Sequence, residues 1–261
     1  MSNLNITTNG RVKIIAIDRA DRRNAVDGET AHELFKAFKE FDQDENSDVA
    51  ILTGNDGTFC AGADLKAIAA EDGGNPIEEG GIDTLAPMGV SRMQLSKPVI
   101  AAIEGFAVAG GMELALWCDL RVMARDATMG IYCRRFGVPL IDMGTIRLPR
   151  LIGQSRAMDL ILTGRPVDAD EALQIGLANR LCEPGDALET ASSLAEEIAS
   201  FPQACMRGDR KSVLEQWSLD TQAAILNETR IGIETINSGE TLSGASRFSA
   251  GEGKHGKFRK D

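Results

Sequence analysis

The strongest constraint on the fold is an alternation of strand-like and helix-like segments over the first 183 residues. "RVKIIAID" (11–18) alternates as a half-buried strand does, and "DGETAHELFKAFKEF" (27–41) puts Ala31, Leu34, Phe38 and Phe41 at helical spacing. "DVAILTG" (48–54) reads as a short apolar strand and "DLKAIAA" (64–70) as a helix. "KPVIAAIEG" (97–105) is a further strand, followed by "GGMELALWC" as a helix and "DLRVMARD" (119–126) as a strand. Such alternation predicts an α/β architecture with crossover connections. Residues 71–87, "EDGGNPIEEGGIDTLAP", are rich in Gly, Pro and acids and read as a mobile surface loop. From about 184 the pattern turns helical. A boundary at 195–202, near Pro202, separates a core (1–198) from a helical C-terminal region (199–261). The end, "GEGKHGKFRKD", reads as a tail.

Composition excludes several function classes. A net charge of −11 argues against nucleic acid, whose phosphates call for basic patches. No apolar run is long enough to suggest a membrane span, and the start lacks the features of a signal peptide. Cysteines 60, 118, 133, 182 and 205 are odd in number, scattered, and include no CxxC pair. That pattern suggests reduced thiols in a cytoplasm and gives no zinc spacing. With only His32 and His255 available, triad chemistry has little to draw on.

The stretch "EGFAVAGGMELALWCD" (104–119) sets one carboxylate, Glu113, inside an otherwise apolar run, with no cation after it until Arg121. "GFAVAGGM" has phosphate-loop glycine spacing but lacks the Lys-Ser or Lys-Thr that would make it a nucleotide site. Nor does a G-x-G-x-x-G open a helix after a strand. Nicotinamide, flavin and metal sites find no support. Glycines at a helix start can instead let a ligand approach backbone N–H groups at the positive end of the helix dipole. "TFCAGADLKAI" has the same character, with Gly62 and two alanines just before a helix capped by Asp64. Two such donors converging on one oxygen make an oxyanion hole, in which each donor matters roughly 10²–10³-fold. Each glycine stretch alone is also explained by helix–strand packing, and Glu113 alone by its place in a first helical turn.

Together these stretches resemble the crotonase, or enoyl-CoA hydratase/isomerase, family. The likeness rests on "RRNAV" (22–26), "FCAGADL" (59–65), "KPVIAAIEGFAVAGGMELALWCDLRV" (97–122) and "LILTGRPVDADEALQIGLANRLC" (160–182), and runs over essentially the whole chain. It implies a spiral of repeated strand–strand–helix units with a C-terminal helical region that mediates trimer formation, as a homotrimer or a dimer of trimers. It also implies coenzyme A thioesters as substrates, with coenzyme A part of the substrate and no other cofactor. By motif position the oxyanion donors are Ala63 and Gly110, and Glu113 faces the substrate carbons one turn on.

One departure bears on mechanism. Family hydratases with two catalytic glutamates hold the second where this chain has Cys133. A thiol does not replace a carboxylate: its reference pKa is about 8.5 and it bonds water weakly. Asp142 is the next candidate acid, although branches of the family with a functional aspartate hold it one position earlier. Asp142 also reads as a turn or cap residue before "MGTIRLPRLIG". Arg134 and Arg135 either hold Cys133 as a thiolate or make surface ion pairs.

The readings in order are a hydratase in which Glu113 and Asp142 divide the acid–base work, and a double-bond isomerase that needs one carboxylate. A thioester hydrolase using Cys133 and a non-catalytic thioester binder follow. For coenzyme A, the resemblance implies Arg23 and Ala25 along the pantetheine and phosphate path. It places Ala61 and Asp64, Leu65 and Lys66 at the adenine end, Cys133 beside the substrate, and Phe248 near the coenzyme of a neighbouring subunit. The family's basic residue three positions on is Gly251 here, which leaves Lys254 or Lys257 as substitutes.

Overall fold

Alternating apolar residues in the first strands build a sheet that a helix then covers. A computed structural model describes residues 2–70 and 74–253. Strand β1 (Leu4–Asn9) turns back into β2 (Val12–Ile17) as an antiparallel hairpin. Helix α1 (Gly28–Gln43) starts at Asp27, whose carboxylate accepts from Thr30 N–H, and buries the Ala31, Leu34, Phe38 and Phe41 face. β3 (Val49–Gly54), buried over five of its six residues, then pairs parallel to β2 with Ile14 opposite Ile51. The short α2 (Leu65–Ala69) is capped by the Asp64 carboxylate.

Consecutive strands then part company. β4 (Val99–Ile103) continues the first sheet, whereas β5 (Phe106–Val108) opens a second one. Helix α3 (Gly110–Trp117) follows, after which β6 (Leu120–Ala124) returns to the first sheet and β7 (Thr128–Gly130) to the second. A 3-10 turn at Tyr132–Phe136 leads to α4 (Gly144–Ile152) and α5 (Gln154–Thr163). β8 (Pro166–Val167) joins the small sheet, and α6 (Ala169–Gln174) precedes β9 (Arg180–Cys182) at the edge of the large one. The sheets run β1-β2-β3-β4-β6-β9 and β5-β7-β8. Within the first, only the β1–β2 pair is antiparallel.

Helix α3 is apolar but for Glu113 and buried except at Trp117, so packing rather than amphipathicity holds it. Trp117 meets Phe38 of α1 edge-on, with ring centroids 4.9 Å apart. Arg121 closes the other end of α3. Its buried guanidinium donates to the carbonyls of Cys118 at 2.8 Å and Leu177 at 2.6 Å. Arg121 is therefore not a counter-ion for Glu113. All five cysteines are free thiols.

The chain divides into two compact units, Met1–Ile198 and Ala199–Asp261. α7 (Ala187–Ala199) lies in the first but for its last residue. α8 (Gln203–Glu215), α9 (Thr221–Asn237) and α10 (Glu240–Ala250) build the second, whose described residues carry exposed Leu214, Trp217, Leu226 and Ile236. No helix of the described residues is long and apolar enough to cross a membrane.

The expected surface loop is exposed over residues 77–84, with its described ends held in place. Among its described residues, Asn75 Nδ2 donates to the carbonyls of Val26 and Pro87, and Ala86 is fully buried. The segment is irregular, but these contacts pin both of its described ends to the first unit.

Candidate active site

Two backbone crossings bring the glycine stretches together. Cys60 N–H donates to Phe106 O at 2.9 Å, and Val108 N–H donates to Cys60 O at 3.1 Å, lacing the 60–63 segment to β5. Gly62, at φ +97°, lies so near the start of α3 that a β-carbon there would come within 3.0 Å of Gly110 N. Ala109 holds φ 53°, ψ −126°, a strained turn for a residue with a side chain that costs about 1–3 kcal/mol. It sits just where β5 becomes α3, with its own N–H bonded to Gly130 O at 2.8 Å. Neither Ala63 N–H nor Gly110 N–H finds an acceptor among the described residues. Both residues line the same cavity of about 300 Å³.

Glu113 stands one turn into α3 and is 3 % exposed. Its Oε1 accepts from the backbone N–H of Asp142 at 3.0 Å and of Gly144 at 2.8 Å. Oε2 takes neither bond. Burial, then the Asp142 charge, push the Glu113 carboxyl up to about 8, against the pull of the two N–H donors and Arg147. Arg147, on α4, is thus the cation that answers Glu113. Burial lowers its own affinity for a proton to about 10, against the opposing pull of Cys118, Glu113 and Asp142.

Asp142 is equally buried and repeats the pattern. Its Oδ1 accepts from Met88 N–H at 2.9 Å and from the Ser91 hydroxyl, and Oδ2 takes neither bond. Burial raises its carboxyl, while Ser91, Met88 N–H, Arg92 and Arg147 hold it down. The alternative of a turn or cap residue is half met: Asp142 lies just before α4, but its carboxylate caps no helix.

The cavity brings together Ala61, Ala63, Leu65, Gly110, Glu113, Cys133 and Asp142 from the sequence reading. Exposed Ile68, Ile77, Phe136 and Ile141 add apolar wall, and Tyr132 adds an aromatic one. Five expected residues are absent from that wall. The Asp64 carboxylate caps α2 and meets Arg19 at 3.3 Å, so it has partners other than a coenzyme. Lys66 is exposed on α2. Arg23 is exposed, with its carbonyl accepting from Ala61 N–H, while Ala25 is buried and its carbonyl accepts from Arg19. Phe248 is exposed on α10 in the second unit. Lys254, His255 and Lys257 lie outside the described residues.

Cys133 does not sit as a thiolate. Burial and then Glu113 raise its thiol, outweighing Arg134. Among the described residues Arg134 and Arg135 donate to the carbonyls of Ile161 and Gly164 rather than to carboxylates, and Arg135 stacks 4.0 Å over the Tyr132 ring. His32 is bonded to Gly28 O on α1 and is not on the cavity wall. Among the described residues no group of three or more His, Cys, Asp or Glu is placed to hold a metal ion. The sequence reading missed Ser91, Arg147 and Tyr132, for none of them belongs to a local pattern.

Comparison with known proteins agrees with this architecture. The profile of the Enoyl-CoA hydratase/isomerase family matches residues 7–256. Carnitinyl-CoA dehydratase of Proteus mirabilis (strain HI4320) is 37% identical over 198 residues, 76% of this chain and 74% of that one. Enoyl-CoA hydratase EchA19 of Mycobacterium tuberculosis is 33% identical over 244 residues, 92% and 90% of the two chains. The crystal structure of enoyl-CoA hydratase from Mycobacterium tuberculosis H37Rv superposes with a TM-score of 0.88 at 37% identity, covering 95% of this chain and 96% of that one. Sheet order, motif positions and these likenesses agree: the chain has the crotonase fold and belongs to the enoyl-CoA hydratase/isomerase family of enzymes.

Proposed function

We propose that this enzyme adds water across the 2,3 double bond of a 2-enoyl-CoA, giving the 3-hydroxyacyl-CoA, with Glu113 and Asp142 dividing the proton transfers. The observation that carries the reading is a pair of buried carboxyls on one cavity wall, each with one oxygen tied to N–H or O–H donors and the other left without them. Two like charges so close do not both ionise readily, so near neutral pH the pair holds one proton. Glu113, pushed up to about 8, is the member that keeps it. Asp142 has as many donors as Glu113 but two cations rather than one opposing its burial, and an aspartate is the stronger acid to begin with, so it is the more acidic.

In the forward reaction the thioester carbonyl sits between Ala63 N–H and Gly110 N–H. Asp142 takes a proton from water as the water oxygen bonds to C3. The π electrons move to C2 and the carbonyl, where the two N–H groups meet the developing negative charge. Glu113 then gives its proton to C2, leaving Glu113 ionised and Asp142 protonated. Return of that proton to Glu113 resets the site. The steps reverse to give dehydration, the direction in the name of the Proteus relative. The exposed apolar residues at the cavity mouth suit an acyl chain and pantetheine arm.

Cys133 has no part as nucleophile in this reading, because its protonated thiol has no histidine to act as base among the described residues of the cavity wall. Self-association through the apolar surface of the C-terminal unit, as a trimer or hexamer, belongs to the same proposal. Sedimentation of the purified chain as a monomer would refute that part alone. The reaction itself is tested with crotonyl-CoA and longer 2-enoyl esters, following loss of the conjugated absorbance and the product mass. A product heavier by one water supports hydration. An unchanged ester, with 3-enoyl esters converting instead, makes this a one-carboxylate isomerase.

A further inference from the structure

We propose that Ser91, which is not on the cavity wall, is a positioning residue for hydration: its hydroxyl fixes the Asp142 carboxyl so that Oδ2 is the oxygen that meets water. The inference rests on the hydration reading and deepens it.

Ser91 is fully buried, and its hydroxyl donates to Asp142 Oδ1, the oxygen that also accepts from Met88 N–H. Both donors stand on one tight turn. Ala86 and Gly89 exchange hydrogen bonds at 3.0 and 2.8 Å, and Met93 N–H closes onto Val90 O at 2.8 Å. Core packing fixes that turn. Met88 and Val90 are buried, and Gly89, at φ +82°, lies so close to α1 that a β-carbon would come within 2.4 Å of Ala31 O. The donors are therefore mounted on the core rather than on a free loop. With Oδ1 holding two donors, a proton taken from water goes to Oδ2.

The charged groups facing Asp142 are Glu113 from α3, Arg147 from α4 and Arg92 beside Ser91. Beside them Ser91 and Met88 N–H are neutral donors, and the Ser91 hydrogen bond favours the ionised carboxyl. Without it, Asp142 keeps its proton to higher pH, and its side chain is free to turn about the remaining Met88 bond.

Steady-state kinetics of Ser91→Ala, Ser91→Thr and Asp142→Asn with crotonyl-CoA between pH 5 and 9 test this. In Ser91→Ala we expect kcat to fall about tenfold or more, because a hydrogen bond to a charged acceptor is lost, with KM nearly unchanged. The acid limb of the kcat/KM profile should move up by about one pH unit. Ser91→Thr, which restores the hydroxyl, should return both towards wild type. Melting temperature and calorimetric binding of a saturated acyl-CoA verify that each variant is folded. If Asp142→Asn is inactive while folded Ser91→Ala keeps the wild-type acid limb, whether or not its rate falls, the role of Ser91 is overturned and the hydration reading stands. If Asp142→Asn keeps wild-type turnover, the assignment of Asp142 falls, and that of Ser91 with it.

Discussion

Replacing Glu113 by glutamine should make the folded protein more stable at alkaline pH, and the structure supplies the size of the effect. An unfolded glutamate ionises near 4.5, whereas in the fold burial and Asp142 hold the Glu113 proton until about 8. Between these values the folded state binds more protons than the unfolded one, so stability falls as pH rises through that window. At 1.36 kcal/mol for each tenfold change in proton affinity, the full loss above pH 8 is on the order of 5 kcal/mol. The glutamine amide cannot ionise, and its oxygen can still accept from Asp142 and Gly144 N–H. Wild type and Glu113→Gln should therefore melt together at pH 5 and separate steadily above it. By pH 9 the variant should melt roughly 10 °C higher. Thermal melts followed by circular dichroism at fixed protein concentration, from pH 5 to 9, read this directly. Parallel curves across the range would refute the claim that Glu113 is held protonated by its surroundings.

The same variant should lose turnover by about a hundredfold or more while binding of a saturated acyl-CoA survives, since the acid is removed and the cavity is kept. Cys133→Ser should keep most of the wild-type turnover; a loss matching that of Asp142→Asn would restore the thiol to the mechanism. Gly144→Ala would bring a β-carbon to 2.7 Å from Glu113 Oε1, so turnover should fall at least about tenfold as the carboxyl is displaced. Ala109→Gly relieves the strained φ of 53° and should stabilise the fold by about 1 kcal/mol in urea titrations; destabilisation would show that Ala109 is not strained.

Much of the fold was legible because its signals are local. The α1 face of Ala31, Leu34, Phe38 and Phe41 and the cap at Asp64 are written within a few neighbouring residues. β1, β5, β7, β8 and β9 were not. Four are only two or three residues long, too short to show a period, and β1 exposes five of its six residues. Asp64 shows where a local rule stops. Its cap of α2 is written beside it, whereas its bond from Arg19, which comes 45 residues earlier in the chain, is not.

The sequence alone determined the alternation that makes an α/β fold, the two glycine stretches, and a carboxylate in the first turn of an apolar helix. Only the tertiary structure decided what that carboxylate meets. Gly144 lies 31 residues beyond Glu113, and Ser91 lies 51 residues before Asp142. No periodicity or cap rule spans such distances, because local patterns report which face of an element is buried and not which element buries it. The proton on Glu113 follows from that second fact, since burial and the neighbouring Asp142 raise its carboxyl against its own hydrogen bonds.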